Sequence, residues 1–141
     1  MSQRPAPSAL VVSGLAEVAL GALAGWPYTL IRQDPEAARR LLGLKSAARV
    51  RQWHLDLAML GGLTVAIGTA VPDAPKWASI PLGVGAWTNA MAFLPLAFNP
   101  EADRSPVYKA AAGASFVATS AGFVGMAIEG ARRRRRARRA A

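Results

Sequence analysis

Three side chains stand out as chemically capable within the long apolar runs of this sequence: His54, Glu17 and Asn89. His54 is the only histidine and lies at the head of "WHLDLAMLGGLTVAIGTAV". A neutral imidazole is a good ligand for iron. On a helix, positions 54, 57, 58, 61, 64, 65 and 68 share a face. That face reads His, Leu, Ala, Gly, Thr, Val, Gly, so its small residues leave volume directly inward of the imidazole. A histidine at the edge of such a slot suits the axial position of a flat macrocycle. The plainer role is a histidine that snorkels to a lipid interface beside Trp53, and periodicity leaves both open. Asp56 is two residues on and points away.

Glu17 is the only acid deep in an apolar run. It reads either as a protonated acid bonded to a neighbouring helix or as a proton or cation site. Asn89, in "GAWTNAMAF", is either interhelical glue or a pocket donor. Trp87 is unusual because membrane tryptophans favour the interface, and this one falls mid-run. A tryptophan beside an asparagine suggests a pocket wall. Met59, Met91 and Met126 read as core filling.

The elements that position these residues follow from composition. The 141-residue chain is 52% hydrophobic and 18% charged, with a net charge of +9. The charge is bunched: six cations lie between Arg32 and Arg51 and seven between Arg132 and Arg139. This is a membrane protein's layout, with Lys and Arg at the ends of apolar segments where anionic lipid headgroups lie. It points away from nucleic acid, since no basic patch is interleaved with aromatics. The absence of cysteine excludes disulfides, thiolate metal sites and thiol nucleophiles. The first apolar segment is too long for a signal-peptide core and is read as retained.

Four spans are expected, at residues 8–31, 53–71, 77–98 and 107–130, each long enough to cross roughly 30 Å of hydrocarbon as a helix. The expected fold class is all-α: an integral membrane four-helix bundle in one domain, residues 1–130, followed by an Arg-rich tail, 131–141, with no fold of its own. Small residues four apart mark close helix approaches. Ala110, Ala114, Ala118 and Gly122 form such a row, and Gly21 and Gly25 a shorter one. Pro81 and Pro95 should kink the third span. A short amphipathic helix is expected from Pro35, with Leu41, Leu42 and Leu44 toward the membrane. Counting Arg4, Lys76 and the tail gives nine cations on one side against eight on the other. The denser tail places both termini in the cytoplasm, with the protein in the cytoplasmic (inner) membrane.

The combination of "RQWHLDLAMLGG", the proline turn "VPDAPKWA", "GAWTNAMAFLPLAF" and "FNPEADRSP" resembles the small four-span membrane isomerases typified by styrene oxide isomerase, with the related hydroxylaminobenzene mutases. The likeness covers about Trp53 to Pro106, and the outer helices only by length and character. It implies a homo-oligomer, a trimer, that binds haem b near subunit contacts, with His54 ligating the iron. Ferric iron would act as a Lewis acid on a small hydrophobic substrate, an aryl epoxide or an arylhydroxylamine. On that likeness Gly61 and Trp87 border the cofactor, and Trp87, Asn89 and Phe93 stand at the catalytic pocket. The sequence departs from the family where Leu60 and Phe93 replace an asparagine and a tyrosine, and neither can donate a hydrogen bond. A different resemblance, of "GLAEVALGALAG" to the first helix of the small multidrug resistance transporters, implies proton-coupled transport through Glu17. A structural membrane protein without chemistry is the third alternative.

Overall fold

The computed structural model describes residues 6–140, so Arg4 and Ala141, at the two ends, lie outside it. All regular structure among the described residues is helical, in the order α1 (Ala9–Gln33), α2 (Pro35–Leu42), α3 (Ala47–Ala70), α4 (Lys76–Met91), α5 (Phe93–Phe98), a 3-10 turn (Pro100–Arg104) and α6 (Pro106–Ala140). Three helical stretches are long and apolar enough to cross a membrane: α1, Lys76–Phe98 and α6. α3 is of similar length but less apolar, because its head carries Arg49, Arg51, His54 and Asp56.

The helix starts follow local chemistry. The side chains of Ser8, Asp34 and Ser46 accept from main-chain N–H groups in the first turns of α1, α2 and α3, which satisfies donors the helix leaves unpaired. α2 begins at Pro35, where a missing N–H costs nothing. It stops at Gly43, whose φ of 71° is the left-handed conformation that favours glycine. Leu41 and Leu42 are exposed, as an amphipathic helix resting on lipid requires. Leu44 departs from expectation: it turns inward and is buried with Ile31, Ala38, Val50 and Ala97.

Packing is dominated by two antiparallel pairs, α1 with α3 and α4 with α6. Both are built on glycine. A Cβ placed on Gly14 would stand 2.8 Å from the carbonyl oxygen of Gly61, and one on Gly21 would stand 2.9 Å from the nitrogen of Ala58. In the second pair, a Cβ on Gly85 would overlap the backbone of Thr119, and one on Gly122 that of Leu82. Where lipid is as apolar as the side chains, close backbone approach is the main gain from helix pairing. The two pairs meet at Ala24, Leu57, Leu60, Ala86 and Ala90, flanked by Trp53, Trp87, Met91 and Phe123. Of the expected row on α6, only Gly122 is buried. Ala118 is half-buried, Ala110 and Ala114 are exposed, and the buried face is Ser115, Thr119, Gly122 and Met126. Met126 fills core, whereas Met59 is 57% exposed and does not.

The third stretch passes through Pro81 without a break and is interrupted at Ala92, ahead of Pro95. Pro95 lacks the N–H that would continue the ladder. The hydroxyl of Tyr108 donates to the carbonyl of Ala92 at 3.0 Å, so a side chain from α6 satisfies the irregular turn.

The tail overturns the expectation that it has no fold of its own. α6 continues unbroken through the arginines to Ala140. Arg133 donates to Glu129 at 2.9 Å, to the carbonyl of Asp73 at 3.0 Å and to that of Pro72. Arg132 lies over the ring of Trp77, 5.7 Å from its centroid. The first turn of the tail is thereby fastened to the connection between α3 and α4. The remaining arginines are exposed.

Candidate functional site

His54 lies two turns into α3, on the side facing α1. Its Nδ1 is 2.7 Å from the carbonyl oxygen of Gly21. Gly25, one turn on, faces the ring: a Cβ there would be in ordinary contact, 3.5 Å from the imidazole Cε1. Tyr28, one further turn along α1, stacks against the imidazole with ring centroids 5.9 Å apart and planes 19° from parallel. A main-chain carbonyl only accepts, so Nδ1 carries a proton, and in the neutral ring Nε2 keeps its lone pair. Nε2 has no hydrogen-bond partner among the described residues, and it is not sealed from the surface. Asp56 takes no part, since its Oδ1 accepts from Gln52 at 2.7 Å.

The volume expected inward of the imidazole is filled. Gly61 is buried against Gly14, Glu17 and Val18 of α1, and Gly68 against Leu10 and Val11. The missing side chains that suggested a slot are filled from α1, by its backbone at Gly61 and by the Leu10 and Val11 side chains at Gly68. Leu57 and Leu60 are buried on the same side of α3, in the cluster where the helix pairs meet.

Trp87 is half-buried and donates through Nε1 to the Ser13 hydroxyl at 2.9 Å. It lines a groove of about 460 Å³ between α1 and α4, together with Leu10, Ser13, Ile80, Gly83 and Val84. Neither His54 nor Gly61 lines that groove. The three residues expected around one cofactor therefore each meet α1, but at two levels: His54 at Gly21 to Tyr28, and Gly61 and Trp87 nearer the helix start, at Gly14 to Val18 and at Ser13. Asn89 and Phe93 are half-buried on either side of the interruption at Ala92. A smaller cavity of about 310 Å³ opens there, lined by Thr88, Met91, Pro95 and Tyr108. Trp53, the neighbour of His54, donates to the Met91 sulfur at 3.4 Å, so α3 reaches the rim of this cavity.

Several residues of the site have no separate signal in sequence. Tyr28 is one aromatic near the end of the first apolar run, yet it is the ring stacked on His54. Ser13 is one small residue among many, and its partner lies 74 positions away. Glu17 is fully buried with both carboxyl oxygens unpartnered, and it does not line the groove beside Trp87. Thr64, on the facing helix, is equally buried and unpartnered. The described residues hold no group of three or more His, Asp or Glu side chains able to enclose a metal ion, so iron held here would need a prosthetic group of its own. No protein-family model, no curated protein and no solved structure matches the chain.

Proposed function

We propose that the chain is a four-span helical bundle of the cytoplasmic membrane, with both termini on the cytoplasmic side. In this reading it binds haem b through Nε2 of His54 and rearranges a small hydrophobic substrate, an aryl epoxide or an arylhydroxylamine. Three helices have the length and apolarity for spans. α3 is the fourth, its charged head at headgroup level and its body paired along α1. The exposed arginines of the tail meet anionic lipid headgroups. Reporters fused to the C-terminus and into the connection between Gly43 and Ser46 are expected on opposite sides of the membrane. Matching sides would remove a span.

The observation that carries the haem reading is the 2.7 Å contact between Nδ1 of His54 and the Gly21 carbonyl. Metal-ligating histidines characteristically donate their other ring N–H to a carbonyl or carboxylate, which sets both tautomer and orientation. The donor therefore fits haem. A single chain offers no enclosed slot beside it, so the fit requires cover from a second copy, and the resemblance implies a trimer. When bound, ferric haem supplies a Lewis acid toward the substrate oxygen, with no net redox change. On the resemblance the chain's own residues would hold and orient the substrate near the Ala92 interruption, with Asn89 as the amide donor and Phe93 as an apolar wall, while Trp87 stands in the separate groove beside Ser13. Purified from haem-supplied cells, the protein is expected to show a Soret band. A colourless preparation would overturn the reading.

A further inference from the structure

α1 and α3 cross where Gly14 meets Gly61, each glycine leaving no space for a Cβ against the other's carbonyl. Three residues beyond each glycine stand Glu17 and Thr64, displaced from that contact in opposite directions because the two helices run antiparallel. Both are 0% exposed. Neither Oε1 nor Oε2 of Glu17, nor the Thr64 hydroxyl, has a hydrogen-bond partner. Buried polar groups are almost always satisfied, so three orphaned atoms at one crossing need an explanation.

No cation supplies it. On α3 the charged or titratable side chains are Arg49 and Arg51 near its start, His54 at the level of Gly21, and Asp56 bonded by Gln52. α4 offers only Lys76, at its first residue, and α2 packs at the opposite end of α1 with Glu36, Arg39 and Arg40. None forms an ion pair with Glu17. A carboxylate here would have neither counter-ion nor hydrogen-bond donor, a burial that costs several kcal/mol. A sodium ion needs volume and several oxygens. Here a Cβ on Gly61 would already stand 3.0 Å from that of Glu17, and the helix carbonyls are engaged in their own ladders. The one cation that needs no volume is a proton.

We propose that Glu17 is a proton-binding site closed by the α1–α3 crossing. A neutral carboxylic acid has no charge to desolvate, so it can remain buried at such a crossing at far lower cost than a carboxylate. Ser13, one turn before Glu17 on α1, accepts from Trp87 at the groove and marks the polar step toward the outside. Release of the proton requires the crossing to part, because nothing inside it can replace the proton. This site is independent of haem.

The test is infrared spectroscopy of the full chain in detergent at neutral pH, prepared with and without glutamate labelled with carbon-13 at the side-chain carboxyl. The isotope difference should contain the C=O stretch of one neutral carboxylic acid. Glu36, Glu101 and Glu129 contribute carboxylate bands, and Asp56 is silent because it is unlabelled. Glu17→Gln should abolish the neutral-acid band, and replacing choline with sodium should leave it unchanged. A difference spectrum containing carboxylate bands alone overturns the proposal, as does a band that sodium removes. The isotope measurement decides the matter even if Glu17→Gln fails to fold.

Discussion

Gly122→Leu is expected to prevent α6 from closing on α4. A Cβ at this position already overlaps the backbone of Leu82, and that helix cannot retreat alone because Gly85 holds it against Thr119 one turn away. Overpacking that side chains can absorb costs about 1–3 kcal/mol. A clash between two main chains cannot be absorbed by rotamers, so the loss should exceed that range and the variant should purify aggregated or melt far below the parent. Gly85→Leu should behave alike. Ala118→Leu, half-buried on the same helix, should cost less, and Ala114→Leu, exposed, should leave the melting temperature unchanged. Equal melting of the parent and Gly122→Leu would mean that the α4–α6 crossing does not hold the fold together.

The second large effect concerns His54 and Phe93. His54→Ala removes both the Nε2 lone pair and the contact with Gly21, so the Soret band expected of the parent should vanish. His54→Gln, which keeps some bulk, should lose it too, which separates ligation from packing. Phe93→Tyr acts on the substrate side. Loss of one preorganised donor typically costs about a hundredfold in rate, so restoring a hydroxyl near Asn89 should raise conversion of an aryl epoxide to the carbonyl product by up to about that factor, with haem content unchanged. A variant that raises haem content and rate together would show that Phe93 affects cofactor binding and not the chemistry.

The pattern of apolar runs and charge clusters makes the long helices readable within a few residues, because each run must satisfy its backbone internally. Two features escape that logic. The tail reads as solvated because seven cations in eight residues repel one another. Arginine is nevertheless a good helix former, a helix already nucleated upstream extends cheaply, and carbonyls at Pro72 and Asp73 receive Arg133. The slot beside His54 reads as empty because a helical wheel shows one helix alone. Of the glycines that look like vacant space on α3, Gly61 is met by the backbone of α1 at Gly14 and Gly68 by the Leu10 and Val11 side chains, and only the pairing reveals which absence is filled. Glu17 is visible as a lone acid in an apolar run. Thr64 is not, since a threonine in a membrane helix usually bonds back to its own turn, as Thr69 does to Val65 and Thr88 to Val84.

The pairing of α1 with α3 and of α4 with α6 also orders the birth of the molecule. Each crossing joins neighbouring long segments, so each is a hairpin closed by helices made one after the other. When α3 leaves the ribosome its partner is already made, and the first hairpin can close before α4 exists. α4 then waits with its Gly85 face bare until α6 emerges. Arg133, made after both hairpins have their long segments, reaches back to the turn that links them and latches the pair. A chain truncated before residue 131 should therefore keep both hairpins but join them more loosely, because the latch follows both in sequence.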